Sequence, residues 1–381
     1  MKDYQVIWRG PVLDATGYGT ASREYALALD RQGVDVKIET YTWNFPFTLE
    51  NREKKERLQQ LIEKPLSNHK RKILICHSPP AFIDKKERAK YEYCLLNTVW
   101  ETNKIPESWK AILQTFDAVC VPCTHNIKAL KNSGVSVPVF LVPHGADTDM
   151  FHPANPRTPL SEEEGRFVFV SVFDFQHRKN PESLLRAYWE AFTSNEQVLL
   201  VIKTYGSSRK EIRSAIMDYK RKLGYGEETA PLYVITGICE EKQLKGLYTA
   251  GDAFVLPTRG EGVGLPFIEA LSSGLPVIAT GWGGQMDFLN GKNSFLVKYK
   301  LESPSISIEN AISTTYPSFA EKGQLWAEAD IEHLKQQMRY AFLNPKLCKL
   351  KGAQGRQDML KLTWEKAGVA IIKAIDSLIG T

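Results

Sequence analysis

The chain has 381 residues, 43% of them hydrophobic and 24% charged, with a net charge of +5. That length suits two domains rather than one, and the composition is that of a soluble globular protein, not a disordered one. No apolar run approaches the ~18 residues of a membrane helix, and the mild basicity fits an anionic ligand without demanding nucleic acid. The opening residues MKDYQVIWRG lack the apolar core of a signal peptide. A cytoplasmic protein with reduced thiols is therefore expected, at Cys76, Cys94, Cys120, Cys123, Cys239 and Cys348. Cys120 and Cys123 form a CxxC, but no second pair or HxxxH completes a metal site, so they read as small buried side chains. No metal is expected.

Residues 5–8 read as the first strand. A glycine loop with Gly17 and Gly19, a helix over 21–30 and a second strand over 34–40 follow. The loop is neither a dinucleotide-binding fingerprint nor a Walker sequence. Residues 50–72 are highly charged, with a narrow stripe of Leu58, Leu61 and Ile62. They read as a solvated surface helix or, more sharply, as a basic segment making peripheral contact with an anionic membrane. Residues 72–77 form a buried strand ending in His77, which faces the ligand crevice of a parallel sheet or serves as a hydrogen-bonded loop histidine. Further strands are expected over 95–100, ending near Glu101, and over 116–121 and 139–142.

Residues 153–165, with two further prolines and three consecutive glutamates, read as a linker. A sheet restarts over 167–172, leading into Asp174, Arg178, Lys179 and a helix over 182–192. A strand over 197–203, a basic amphipathic helix over 209–223, a strand over 232–237 ahead of Ile238, and a helix over 241–250 come next. Residues 302–322 read as a loop insertion, and 330–342 and 362–379 as amphipathic helices.

The most informative stretch is 253–276, AFVLPTRGEGVGLPFIEALSSGLP. A short apolar strand enters a loop with Gly260, Glu261, Gly262, Val263 and Gly264. Leu265 and Pro266 open a helix carrying Glu269; Gly274 and Pro276 end it. A second strand follows at 277–279. Such a loop aims backbone N–H groups along a helix N-terminus, where anions bind. A carboxylate would repel a phosphate, so Glu261 and Glu269 are expected to hold hydroxyls on either side of it. A ligand with phosphates in its middle and hydroxyls at both ends is a nucleotide-sugar. The competing reading is an ordinary strand–helix–strand crossover without a ligand.

Glu261 and Glu269, with seven residues between them, and the string EGVGLPFIEALSSGLPVIAT resemble the E-x7-E signature of retaining glycosyltransferases of family four. Val142-Pro143-His144-Gly145-Ala146-Asp147 is similar to the boundary motif of that family, with His144 where Asn is commoner. Gly281-Trp282-Gly283-Gly284-Gln285 is similar to a later glycine loop. The resemblance is specific over 231–297, moderate over 139–192 and weak before residue 72. It implies an α/β GT-B fold, two Rossmann-like doubly wound domains facing across a cleft. The expected division is an acceptor domain at 1–152, a donor domain at 153–357, and a helix at 358–381 returning to the first domain.

By the same resemblance, Gly17 and Gly19 lie near the diphosphate and transferred sugar, and Ile238 near the donor base. Gly262, Val263, Gly264, Leu265 and Glu269 bind the donor. Lys179 matches a family lysine, and Arg178 stands in for an arginine replaced here by Asp174. His77, Glu101, Glu261, Arg178 and Lys179 are the candidate catalytic residues. Many relatives have a histidine near Glu101, which is expected either to hold the transferred sugar or to face the acceptor. The implied activity is retaining transfer of a sugar from a nucleotide-sugar to a hydroxyl of a glycan, lipid-linked or small-molecule acceptor, with no cofactor besides the donor. The alternatives are a nucleotide-sugar epimerase or phosphorylase on the same fold, or a non-catalytic nucleotide-sugar-binding subunit.

Overall fold

A computed structural model describes residues 2–43, 45, 49–160, 165–309 and 311–380. The chain divides into two compact units, 1–145 with 362–381, and 146–361. The sequence placed these divisions after 152 and 357.

The first unit is one parallel six-stranded sheet. Its strands are β1 (Tyr4–Gly10), β2 (Asp35–Thr40), β3 (Arg71–His77), β4 (Tyr93–Asn97), β5 (Ala118–Val121) and β6 (Val139–Leu141), in the order β2-β1-β3-β4-β5-β6. Its helices are α1 (Gly17–Arg31), α2 (Arg52–Glu63), α3 (Lys85–Arg88), α4 (Glu107–Leu113) and α5 (Thr124–Asn132). Strands covered by helices on both faces read as near-continuous apolar runs, and Val6, Ile73, Leu74, Ile75, Leu95 and Leu96 are fully buried. Thr16 caps α1 by accepting from the Gly19 N–H at 3.1 Å.

Helix α2 places Leu58 and Leu61 in the core. Three of its cations pair inside the unit, Lys54 with Glu24, Arg57 with Asp30 and Arg52 with Glu56, while the following Lys64 and Lys70 share Asp35. Residues 118–123 bury both Cys120 and Cys123 as thiols, and the Cys123 sulfur caps α5.

The second unit is a parallel sheet of β7 (Phe167–Asp174), β8 (Val198–Tyr205), β9 (Leu232–Thr236), β10 (Ala253–Leu256), β11 (Val277–Thr280) and β12 (Ser294–Val297). Its order is β12-β11-β10-β7-β8-β9. Four helices join these strands: α6 (Pro181–Ala191), α7 (Arg209–Lys222), α8 (Glu241–Ala250) and α9 (Leu265–Ser272). Ser208 and Glu211 form a complete capping box on α7.

The segment read as a loop insertion, 302–322, is bracketed by an antiparallel pair, β13 (Tyr299–Glu302) with β14 (Trp326–Ala329), and holds the short α10 (Pro304–Ile308). Helices α11 (Ile331–Leu343) and α12 (Pro345–Met359) close the unit. The last helix, α13 (Trp364–Ile379), packs on α1 of the first unit, where Ile371 and Ile375 join the core.

The segment read as a linker is packed where it is described. The Thr158 N–H donates to Gly246 O at 2.9 Å, Thr158 Oγ1 donates to Gln243 O, and Arg157 donates to Ala250 O, so it is fastened along α8. Its three consecutive glutamates lie outside the described residues. Among the described residues, no helix is long and apolar enough to cross a membrane.

Candidate functional site

In each sheet the chain reverses the direction in which it adds strands, and open α/β sheets bind ligands beyond the strand C-termini at such a switch. In the second unit the reversal falls between β7 and β10. Strand β7 ends in Asp174 and leads into the 3-10 turn His177–Lys179; β10 leads into the glycine loop. The two junctions sequence reasoning singled out therefore emerge side by side.

They also touch. Lys179 Nζ donates to Glu261 Oε1 at 2.5 Å, and Arg178 Nη1 lies 3.3 Å from Glu261 Oε2. Arg178 Nη1 also donates to Gly260 O at 2.6 Å. The main chain reinforces the junction, since the Arg259 N–H and Thr258 Oγ1 both donate to Arg178 O. Glu261 is 4% exposed. Burial acts to raise its carboxyl, but Lys179 and Arg178 more than offset this and hold it below the usual carboxylate range. The site therefore presents an ionised Glu261 beside two cations.

The glycine loop is shaped from below. The Gly284 N–H donates to Glu261 O at 2.8 Å, and buried Gln285 donates to Thr280 O and Trp282 O. The Gly284 backbone and the Gln285 side chain thus brace the glycine loop and the turn behind it. Gly264, at φ +83°, turns the chain into α9; Gly262 and Val263 are buried, and Leu265 is half-buried. Glu269, a little over one turn into α9, accepts from Tyr248 Oη at 2.6 Å. Burial pushes its carboxyl up to about 7, against the Tyr248 hydrogen bond, and Asp147 adds to the rise. The two glutamates thus differ in state: Glu261 is held charged and Glu269 titrates near neutrality.

Asp174 accepts from Gln176 Nε2 and has Lys179 and Arg178 nearby, yet burial raises its carboxyl above the ordinary range. Ile238, 53% exposed, follows β9 on a turn held by Lys203, whose Nζ donates to Gly237 O at 2.6 Å. Burial pulls that lysine down.

Sequence reasoning missed a buried network behind the site. Arg259 donates to His177 O at 2.5 Å and to Glu182 Oε2 at 3.1 Å, and its Nε donates to Glu328 Oε2 at 2.6 Å. His177 Nδ1 lies 2.9 Å from Glu182 Oε1, and the Ile312 N–H donates to the same oxygen. This network clamps the turn that carries Arg178 and Lys179. An arginine directly before the glycine loop, inside an otherwise apolar stretch, is the signal that could have revealed it.

The remaining candidates belong to the first unit. Its strand reversal lies between β1 and β3. His77, the last residue of β3, is 3% exposed, with the rings of Tyr18, Trp8 and Tyr25 at 5.1, 5.5 and 5.7 Å. Burial, with His144 adding to it, lowers it to about 3, so His77 is a neutral imidazole near pH 7. Gly19 is fixed by close approach, since a Cβ there would sit 2.1 Å from Asp14 O; Gly17 is the exposed first residue of α1. Glu101 is half-buried just beyond β4 and close enough to Tyr18 to act on its hydroxyl. No group of three potential metal ligands occurs among the described residues.

The family model of glycosyl transferases group 1 matches residues 164–313. A 67-residue stretch is 43% identical to the sulfoquinovosyl transferase SQD2 of Arabidopsis thaliana, covering 16% of this chain and 13% of that protein. A longer stretch of 174 residues is 30% identical to the D-inositol 3-phosphate glycosyltransferase of Corynebacterium jeikeium, covering 42% of this chain and 39% of that one. The chain thus spans well under half the length of these curated relatives. Among solved structures, the sucrose-phosphate synthase of Thermosynechococcus elongatus superposes with a TM-score of 0.66 at 16% identity, over 99% of both chains. At that identity the likeness speaks for the fold alone. The chain has the GT-B fold of two Rossmann-like units, and its residues 164–313 match the group 1 glycosyltransferase family.

Proposed function

We propose that this protein is an enzyme that transfers a glycosyl group from a nucleoside-diphosphate sugar to a hydroxyl acceptor, with retention of anomeric configuration. The observation that carries this reading is the meeting of Lys179, Arg178 and Glu261 at the β7–β10 switch point, beside the start of α9. The diphosphate lies between the α9 N-terminus and the two cations. Glu269 accepts from the ribose, Glu261 from a hydroxyl of the transferred sugar, and the base lies along Ile238.

The bond between the anomeric carbon and the diphosphate oxygen breaks, and negative charge grows on that oxygen. A fixed ammonium beside it stabilises the transition state more than the ground state. The acceptor oxygen then bonds to the anomeric carbon from the face the diphosphate leaves, and its proton passes to the departing oxygen. Lys179 and Arg178 supply cationic charge that other phosphoryl sites draw from a divalent ion, so no metal cofactor is needed. Across the family name and the two curated relatives, glycosyl transfer is the common element, which supports the reaction class for this chain.

The test is turnover with a panel of nucleotide-sugars and neutral and lipid acceptors, followed by release of nucleoside diphosphate. Proton NMR of the glycoside should show the anomeric configuration of the donor. An inverted product would remove the same-face mechanism, and no turnover with any pair would remove the reaction.

A further inference from the structure

Between β13 and β14 the chain runs across the turn that carries Arg178 and Lys179. Gln176 and Thr314 form an isolated parallel bridge. The His177 N–H donates to Thr314 O at 2.8 Å, and Thr314 Oγ1 donates to Phe175 O at 3.2 Å. Ser307 Oγ lies 3.1 Å from His177 Nε2, and Gln176 Nε2 donates to Tyr316 Oη at 3.4 Å. The Ile312 N–H reaches Glu182 Oε1 at 3.0 Å. Phe319, 6% exposed on the 3-10 turn Pro317–Ala320, sets its ring centroid 5.9 Å from Arg178 Cζ. Where the crossing ends, the Trp326 ring lies 5.6 Å from that of His177.

The turn needs such support. His177–Lys179 is a single 3-10 turn, whose few internal hydrogen bonds have poor geometry. Asn180 after it is left-handed at φ +59°, uncommon for a residue other than glycine. A backbone held there persists where surrounding contacts fix it, and Asn180 Nδ2 donates to Glu328 of β14 at 3.2 Å. The Arg178 side chain has many rotamers to lose on ordering. Its Nη1 is directed to Gly260 O and Glu261. A ring within about 6 Å of a guanidinium attracts it, so Phe319 holds the cation in this orientation from the opposite partner element.

We propose that residues 303–320 are a strap that positions the cation-bearing turn. Phe319 is the positioning residue for the Arg178 guanidinium, and Thr314 and Ser307 hold the turn through His177. The strap thereby sets the rate of the step in which Arg178 and Lys179 act, since charge prearranged for a transition state costs no reorganisation when the bond breaks. The effect on rate rests on the glycosyl-transfer reading, whereas the coupling of strap to turn stands without it.

Two measurements on the full chain test this. The first is hydrogen–deuterium exchange over 175–180 with no ligand added. Ile312→Pro deletes the strap's donor to Glu182 and should speed that exchange roughly two- to tenfold, the scale of one hydrogen bond; unchanged exchange overturns the proposal. The second is steady-state release of nucleoside diphosphate, from the nucleotide-sugar that wild-type protein turns over, by variants that circular dichroism shows to be folded. Phe319→Leu should lower kcat about three- to thirtyfold, the range of a desolvated cation–ring contact, with little change in donor KM. Phe319→Tyr, which keeps the ring, should retain most of the rate, and the milder Ser307→Ala should lower it about two- to tenfold. In an Arg178→Ala background Phe319→Leu should have no further effect, because the ring acts through Arg178. Full additivity of those two losses, a wild-type kcat for Phe319→Leu, a loss confined to KM, or equal damage by Phe319→Tyr overturns the proposal. A wild-type protein that neither binds a nucleoside diphosphate nor turns over any nucleotide-sugar removes the transfer reading instead, and the exchange measurement then decides the strap alone.

Discussion

Replacing Lys179 separates its place in the fold from its place in the reaction. Its Nζ sits 2.5 Å from Glu261 Oε1, and the two side chains are 11% and 5% exposed. Stripping one partner from a buried ion pair typically costs about 3–5 kcal/mol because the other charge is left uncompensated. Here Glu261 keeps Arg178 at 3.3 Å, so Lys179→Met, which preserves the stem, should cost the fold less, about 1–3 kcal/mol. The reaction should suffer differently. Removing one preorganised donor from a developing oxyanion costs about 10²–10³ in kcat, with a smaller change in donor KM, because the interaction strengthens as the bond breaks. The assay is steady-state release of nucleoside diphosphate, at a temperature where circular dichroism shows the variant folded. Arg178→Ala should cost less than Lys179→Met unless Arg178 supplies the charge missing at Asp174, in which case the losses match. Near-normal kcat for Lys179→Met would return both cations to a purely structural role at the junction.

Glu269 titrates near 7 in the folded chain, against an ordinary 4.5. The folded state therefore holds this proton more tightly, so the group favours folding below about pH 4.5 and loses that contribution as pH rises through 7. Glu261 and Glu182 are depressed and act in the opposite sense, contributing above the ordinary carboxylate range and losing it as pH falls. Glu269→Gln should accordingly gain in Tm relative to wild type at pH 8 compared with pH 5; a constant offset would contradict the assignment. Arg259→Leu should destabilise by about 3–5 kcal/mol, since it leaves buried Glu182 and Glu328 without their shared guanidinium; an unchanged denaturant midpoint at constant slope would show that the fold does not depend on this arginine. Chelation with EDTA should leave kcat unchanged, and a loss restored by added magnesium would show that the cations do not suffice. Glu261→Ala should spare nucleoside-diphosphate binding while slowing transfer; equal weakening of both would undo the division of labour between the two glutamates.

Much of the second unit was legible because its determinants are local. The strand, the glycine loop, Pro266 and Gly274 each carry a backbone preference that tertiary context did not need to override, and β10, α9 and β11 fall where those residues place them. Lys179 and Glu261 were legible as types. Their contact spans 82 residues and was written only in the strand order that makes β7 and β10 neighbours. The clamp of Arg259, Glu182 and Glu328 was not legible, since β14 supplies Glu328 from a stretch, 326–329, to which sequence reasoning assigned no element. Helix α12 was overlooked because two glycines interrupt PKLCKLKGAQGRQDM. The grouping of Tyr18, Tyr41 and Trp43 in the first unit also stayed hidden: they show no periodicity, and their rings meet only through tertiary contacts.

Equilibrium titration of nucleoside diphosphates into the wild-type protein and Glu269→Ala, by calorimetry and by thermal shift, tests the donor site most directly. One nucleoside diphosphate should bind wild type and raise its stability by about 2.7 kcal/mol at a hundredfold excess over Kd. Glu269→Ala should bind the same ligand more weakly while melting cooperatively in its absence. If no nucleoside diphosphate binds the wild-type protein, or if Glu269→Ala binds it as tightly, the β7–β10 junction does not hold a nucleotide in the manner described.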